Sequence, residues 1–159
     1  KESIFNLLMH SKSIRFNFDE SCVLDLFSGS GSFGIECISR NAKSVTFVEN
    51  YIPALEILKK NIQSLKLINK HKIIEKDIFS LNKYSVIKKN YDLIFADPPY
   101  KEKKIDELLS IIFKMNYLNK KGLLILHRDK LDKQIITSNF NIVDTRIYGI
   151  SKIIFLKLK

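Results

Sequence analysis

Five short runs rich in valine, isoleucine, leucine and phenylalanine recur along the 159 residues: CVLDLF (22–27), SVTFVE (44–49), HKIIEKD (71–77), YDLIFAD (91–97) and GLLILHR (122–128). Their largely continuous apolar character suits strands buried on both faces, and segments of helical period lie between them. Leu55, Leu58, Ile62 and Leu65 share one helical stripe, with Pro53 tolerated in the first turn. Ile105, Leu108, Leu109, Ile112 and Phe113 follow the i, i+3, i+4, i+7, i+8 spacing of a second helix. A further helical pattern opens the chain in KESIFNLLMH. The closing stretch FNIVDTRIYGISKIIFLKLK reads as two strands joined near Tyr148 and Gly149, an antiparallel hairpin at one sheet margin. The pattern predicts an α/β fold: a mostly parallel sheet with helices on both faces and a C-terminal antiparallel hairpin.

Composition narrows this little. A hydrophobic fraction of 45% and a charged fraction of 28% describe a chain that folds, and its length suits one domain. No apolar run approaches the roughly 20 residues that span a bilayer and no signal-peptide pattern opens the sequence, so a cytoplasmic protein without a membrane partner is expected. Cys22 and Cys37 form no CxxC and there are three histidines, so neither a disulfide framework nor a metal site is indicated; two small core thiols are expected. The net charge of +10 permits a nucleic-acid partner. It is weak evidence, because only four of the 27 cations are arginine.

The chemistry concentrates where the strands end. In an open parallel sheet, ligands bind beyond the carboxyl ends of the strands, where strand order reverses. Asp25, Glu49, Asp77 and Asp97 all fall at or near such ends, and Arg128 follows the fifth run. Unpaired carboxylates are expensive in a core, so a polar site is the better reading. Gly29, Gly31 and Gly34 place GxGxxG between a strand and a helix, a turn that equally serves a nicotinamide dinucleotide. Asp25 shifts the balance, since a carboxylate before the glycines repels a pyrophosphate but accepts hydrogen bonds from the cationic methionine moiety of S-adenosylmethionine. Glu49 can take both ribose hydroxyls. Asp77 is placed to accept from the adenine amino group, with Ile78 and Phe79 as walls; a turn acid is its plainer reading.

The sequence Asp97-Pro98-Pro99-Tyr100 suits an exocyclic base amine. Such an amine is a poor nucleophile because its lone pair is delocalised into the ring, so it must be held by fixed acceptors. Asp97 supplies a carboxylate oxygen and Pro98 a backbone carbonyl, on a segment that proline stiffens. Tyr100 offers a stacking surface worth roughly 1–3 kcal/mol per base. Lys101, the first residue of KEKK, is placed to reach phosphate, although a solvated loop is the duller account. Arg128 and Arg146 have the fork geometry that suits phosphate, with surface or ion-pair arginines as the alternative reading.

The motifs VLDLFSGSGSFGIECISRNAKSVTFVEN and FADPPY, with ESIFNLL near the start and RIYGISKIIF near the end, resemble the RsmD-like bacterial 16S ribosomal RNA guanine 2-amino methyltransferases over nearly the whole chain. The resemblance implies a Rossmann-like class I methyltransferase with a seven-stranded sheet, S-adenosylmethionine as cofactor and guanine 966 of 16S rRNA as acceptor; 16S rRNA or the assembling small subunit is the expected partner, and a monomer is expected. It assigns Asp25, Gly29 and Gly31 to the methionine side, Glu49 to ribose, Asp77 to adenine, and Asp97, Pro98, Pro99 and Tyr100 to the target base. Phe27, Asn50 and Ile78 complete the expected cofactor set. Relatives carry a basic stretch and a strand pair before the segment matching ESIFNLL, so residues 1–159 are expected to form one methyltransferase domain lacking an N-terminal extension. His127 stands where an acidic residue is common, and a satisfied strand-end histidine is expected there. The alternatives are a DNA adenine methyltransferase, which shares Asp-Pro-Pro-Tyr, a nucleotide-binding oxidoreductase and a non-catalytic RNA-binding module.

Overall fold

The computed structural model describes residues 2–65, 69–83, 87, 90–99, 101, 103–132 and 138–159. Its elements run α1 (Glu2–His10), β1 (Cys22–Leu26), α2 (Ser32–Ser39), β2 (Ser44–Val48), α3 (Ile52–Ser64), β3 (His71–Ile74), a 3-10 helix (Ile78–Lys83), β4 (Tyr91–Ala96), α4 (Ile105–Lys114), β5 (Leu118–Asp129), β6 (Phe140–Tyr148) and β7 (Ser151–Leu158). The seven strands form one sheet in the order β3-β2-β1-β4-β5-β7-β6. The first five are parallel, and β7 pairs antiparallel with both β5 and β6. Strand order therefore reverses between β1 and β4, which are adjacent in the sheet.

Alternation along the strands sorts the core into two layers. Val23, Val45, Phe47, Leu93, Phe95, Leu123 and Ile125 point toward α1, α2 and α3, whereas Leu24, Leu26, Ile94, Ala96, Leu124 and Leu126 point toward α4 and the 3-10 helix. Phe33 of α2 stacks on Phe95 of β4 at 4.0 Å between centroids and on Phe5 of α1 at 4.9 Å, so one aromatic column fixes both helices over the sheet centre. Removing each fully buried leucine of these layers from water contributes about 2 kcal/mol.

Helix ends follow local chemistry. Asn41 and Asn116 take left-handed backbone just after α2 and α4, and the next residues, Ala42 and Tyr117, donate back to the Cys37 and Ile112 carbonyls. Asparagine thus does the work that glycine usually does at such stops. Gly149 at φ 58° opens the two-residue loop between the paired Tyr148 and Ser151, forming the hairpin expected there.

Beyond one-residue differences at strand ends, two boundaries and three side chains differ from expectation. β5 starts at Leu118 rather than Gly122, because Tyr91 pairs with Leu118 across an irregularity that accommodates the polar Asn119, Lys120 and Lys121. β3 stops at Ile74, and exposed Glu75 and Lys76 carry the chain out of the sheet. Leu65 lies just past α3 and is exposed, while Phe113 is partly exposed at the sheet margin and meets Phe140 edge-on, leaving Ile111 to complete the buried face of α4. Cys37 is buried as expected, whereas Cys22 is half-buried.

Candidate active site

The carboxyl end of β1 leads into a turn built on positive φ. Phe27 (56°), Gly29 (57°) and Gly31 (77°) adopt left-handed backbone within five residues, and for Phe27 that conformation is costly. The glycines answer to different constraints. A Cβ on Gly31 would meet Leu58 of α3, and one on Gly34 would meet Phe47 and Val45 of β2; around Gly29 there is nothing within 4 Å. Gly34 and Gly31 therefore serve packing, whereas Gly29 exposes bare backbone to open space.

Besides Glu49, three side chains hold this turn. Ser28 Oγ donates to the Asp25 carbonyl at 2.6 Å and accepts from the Val48 amide at 3.0 Å, tying the turn to the end of β2. Asn61 of α3 donates to the Ser30 carbonyl at 3.0 Å. Asp25 Oδ2 accepts from the Gly34 amide at 3.0 Å. Gly31, the N-cap of α2, has no side chain with which to cap, so Asp25 on β1 satisfies an N-terminal amide of the helix, where the helix dipole also favours negative charge. Asp25, expected to accept from the methionine moiety directly or through water, is only 1% exposed and organises the turn from beneath. Its charge also reaches Cys37, whose thiol is pushed well above its usual range by burial first and by Asp25 second.

Glu49, just past β2, accepts the Gly29 amide on Oε2 at 2.8 Å and the Asn50 and Tyr51 amides on Oε1 at 2.9 Å each. A carboxylate offers about four acceptor positions. Three are thus used by backbone, and a two-hydroxyl ribose contact requires the carboxylate to share or release an amide. Asn50 and Tyr51 beside it are exposed. Asp77 lies beyond β3 on an exposed turn, accepting the Phe79 amide on Oδ1 at 3.0 Å. Ile78 is a correction: at 2% exposure its side chain sits in the core against α4, so it cannot wall a ring. Phe79 is half-buried, 6.3 Å from Phe27, with the Lys104 ammonium 5.1 Å from its ring centre.

Asp97 leaves β4 beside this turn, its amide donating to the Leu26 carbonyl at 3.3 Å. Its Oδ1 lies 2.7 Å from His127 Nδ1, one residue past the Ala96–Leu126 pair on β5. Pro98 is buried and Pro99 exposed; Tyr100 lies outside the described residues. Lys101 is exposed. The two arginines, read either as phosphate contacts or as ion-pair arginines, both form ion pairs. Arg128 is buried, its Nε 2.6 Å from Asp132 and Nη1 donating to the Pro99 carbonyl at 3.3 Å, so it braces the loop after β4. Arg146 pairs with Asp144 at 2.9 Å on β6 and lines a groove of about 500 Å³ with Ser3, His10 and Tyr148 at the outer margin of the sheet, level with His127 through the Arg146–Ile153 and His127–Ile153 pairs. A second groove, of about 760 Å³, lies by Met9, Phe16 and Arg40. Sequence reasoning missed the bracing roles of Ser28, Asn61 and Arg128. Only the small polar residues beside the glycines gave any signal of the first.

The strand order, the glycine turn after β1 and the acids at the strand ends define a Rossmann-like class I methyltransferase, the S-adenosylmethionine-dependent class. Within it, the chain belongs to the RsmD family, whose model, described as Conserved hypothetical protein 95, matches residues 1–157. It is 34% identical over 137 residues to Ribosomal RNA small subunit methyltransferase D of Buchnera aphidicola, covering 86% of this chain and 66% of that protein. To the protein of the same name from Haemophilus influenzae it is 33% identical over 152 residues, covering 94% and 75%. A solved structure of a putative methylase from Haemophilus influenzae superposes with a TM-score of 0.80 at 29% identity, covering 99% of this chain and 96% of that one. Among the described residues no helix is long and apolar enough to cross a membrane.

Proposed function

We propose that this chain transfers a methyl group from S-adenosylmethionine to the 2-amino group of a guanine in 16S ribosomal RNA, guanine 966 by family resemblance, as one cytoplasmic methyltransferase domain. The observation that carries the reading is the contact between the Asp97 amide and the Leu26 carbonyl, because it sets the Asp-Pro-Pro segment against the glycine turn at the reversal of strand order. The relatives' names support a ribosomal RNA acceptor.

The residues present fit the cofactor. Gly29 offers backbone with no Cβ obstruction, Glu49 retains acceptor capacity for ribose, and exposed Asp77 has an acceptor for the adenine amino group. When bound, S-adenosylmethionine supplies an electrophilic methyl group whose bond electrons return to sulfur as the methyl leaves. Asp97 orients the base amine by accepting from one N–H, and the Pro98 carbonyl accepts from the other. As the new N–C bond forms, the nitrogen turns acidic and Asp97 takes the departing proton, later losing it to water; so late a transfer needs no strong base. Alignment of the two reactants supplies most of the acceleration. A partly unstacked RNA base is cheaper to extract than a duplex base.

The test incubates the protein with methyl-labelled S-adenosylmethionine and, separately, unmethylated small subunits, free 16S rRNA and DNA, then maps the labelled base. Label on the 2-amino group of a guanine supports the proposal. Label confined to DNA adenine, or none on any acceptor, overturns it. Asp97→Ala should abolish transfer while S-adenosylhomocysteine affinity stays within about threefold, since the reacting geometry is lost and the glycine turn is not.

A further inference from the structure

Asp97 has an imidazole for its neighbour. Its Oδ1 meets His127 Nδ1 at 2.7 Å, and among the described residues no donor engages its Oδ2. Both side chains lie on the same face of the sheet, one step beyond the Ala96–Leu126 pair, so the contact follows from register between adjacent parallel strands. An ionised carboxylate only accepts, so Nδ1 carries the hydrogen and the ring donates. The next residue on β5, Arg128, points to the opposite face and donates to the Pro99 carbonyl. Consecutive residues of one strand thus grip the segment Asp97–Pro99 at both ends, from both sides of the sheet.

From this geometry we infer that His127 is a positioning residue for methyl transfer: its Nδ1–H fixes the plane of the Asp97 carboxylate, so that Oδ2 is the oxygen presented to the target amine. The inference rests on the methyltransferase reading above and adds a residue to it. The physical reason is entropic and directional. An aspartate at a strand tip turns about two side-chain torsions, and a carboxylate that rotates presents its acceptor in the wrong direction for much of the time. A short, charge-assisted hydrogen bond from a half-buried ring removes that freedom before the substrate arrives. His127 itself is held by the extended backbone of β5, which is paired on both sides, to β4 and to β7 through the His127–Ile153 match. The donor therefore sits on a rigid strand, and Asp97 lies one residue past the end of its neighbour.

The experiment compares His127→Leu, His127→Asn and His127→Gln in the full chain, with labelled S-adenosylmethionine and unmethylated small subunits. Asparagine carries its amide nitrogen near the position of Nδ1, whereas glutamine carries it near Nε2. His127→Leu and His127→Gln should lower kcat about 10- to 100-fold, with KM for S-adenosylmethionine within about twofold of the parent. His127→Asn should recover kcat to within about fivefold. Undiminished kcat in His127→Gln, or asparagine no better than glutamine when both proteins bind S-adenosylhomocysteine normally, overturns the inference while the methyltransferase reading stands. If the parent protein transfers no methyl group to any RNA, that reading falls and this one falls with it.

Discussion

Alanine substitutions at the three glycines of the turn separate packing from ligand approach. At Gly34 the added methyl would press on Phe47 and stand 2.7 Å from Val45 Cγ1, both of them buried and neither able to swing away. With two buried neighbours inside 3 Å the overpacking falls in the upper part of the usual range, about 2–3 kcal/mol, and the better helix propensity of alanine in α2 returns about 1. The net loss is therefore about 1–2 kcal/mol, or a fall in Tm of about 2–8 °C for a domain of this size. At Gly31 a left-handed φ of 77° adds to a clash with Leu58, so the loss should be the largest of the three. At Gly29 only the backbone term operates, about 1 kcal/mol, because nothing lies within 4 Å of the new methyl. That methyl stands where the cofactor is proposed to approach the backbone. Differential scanning fluorimetry and calorimetric titration with S-adenosylhomocysteine should then give opposite rankings. Gly29→Ala loses least stability and at least tenfold in affinity, whereas Gly34→Ala loses more stability and little affinity. Cofactor bound by Gly29→Ala as tightly as by the parent would refute the reasoning.

Glu49→Gln puts an amide nitrogen among three backbone N–H donors, so it should lower stability by about 1–3 kcal/mol and weaken S-adenosylhomocysteine binding at least tenfold, as read by the same titration. Arg128→Ala should destabilise the domain by about 1–3 kcal/mol yet leave the salt dependence of RNA binding unchanged, because its charge is committed to Asp132; a slope reduced by about one in a filter-binding series would restore it as a phosphate contact. Cys37 should resist a thiol reagent at pH 8 until the protein unfolds: its raised pKa keeps it protonated, and only the thiolate reacts. Modification of Cys37 at the rate of half-buried Cys22 in the native protein would contradict its placement.

Much of the architecture was legible because strands buried on both faces need continuous apolar runs, and CVLDLF, SVTFVE and YDLIFAD have them. Boundaries were less so. LNKK joins β5 through pairing with β4, a long-range contact that no local pattern announces. The acids were correctly placed near the strand ends, since burying a carboxylate elsewhere is expensive. What each carboxylate touches was hidden: whether Asp25 meets a helix amide or Glu49 three backbone amides depends on turn geometry. The arginines illustrate the limit. Sequence gave their type and approximate element, while the partner that neutralises Arg128 lies four residues away on a turn beyond the strand. The Asp97–His127 pair depends on inter-strand register, which one sequence does not display.

The central claim is that donor methyl and target amine meet where β4 leaves the sheet beside the glycine turn. A crystal structure of the protein with S-adenosylhomocysteine tests it most directly. The account predicts the ribose at Glu49, bare Gly29 against the cofactor, and the sulfur facing Asp97 and Pro98 with room between them for a base. A cofactor whose sulfur points away from Asp97, or a wall of protein between the two, would contradict it.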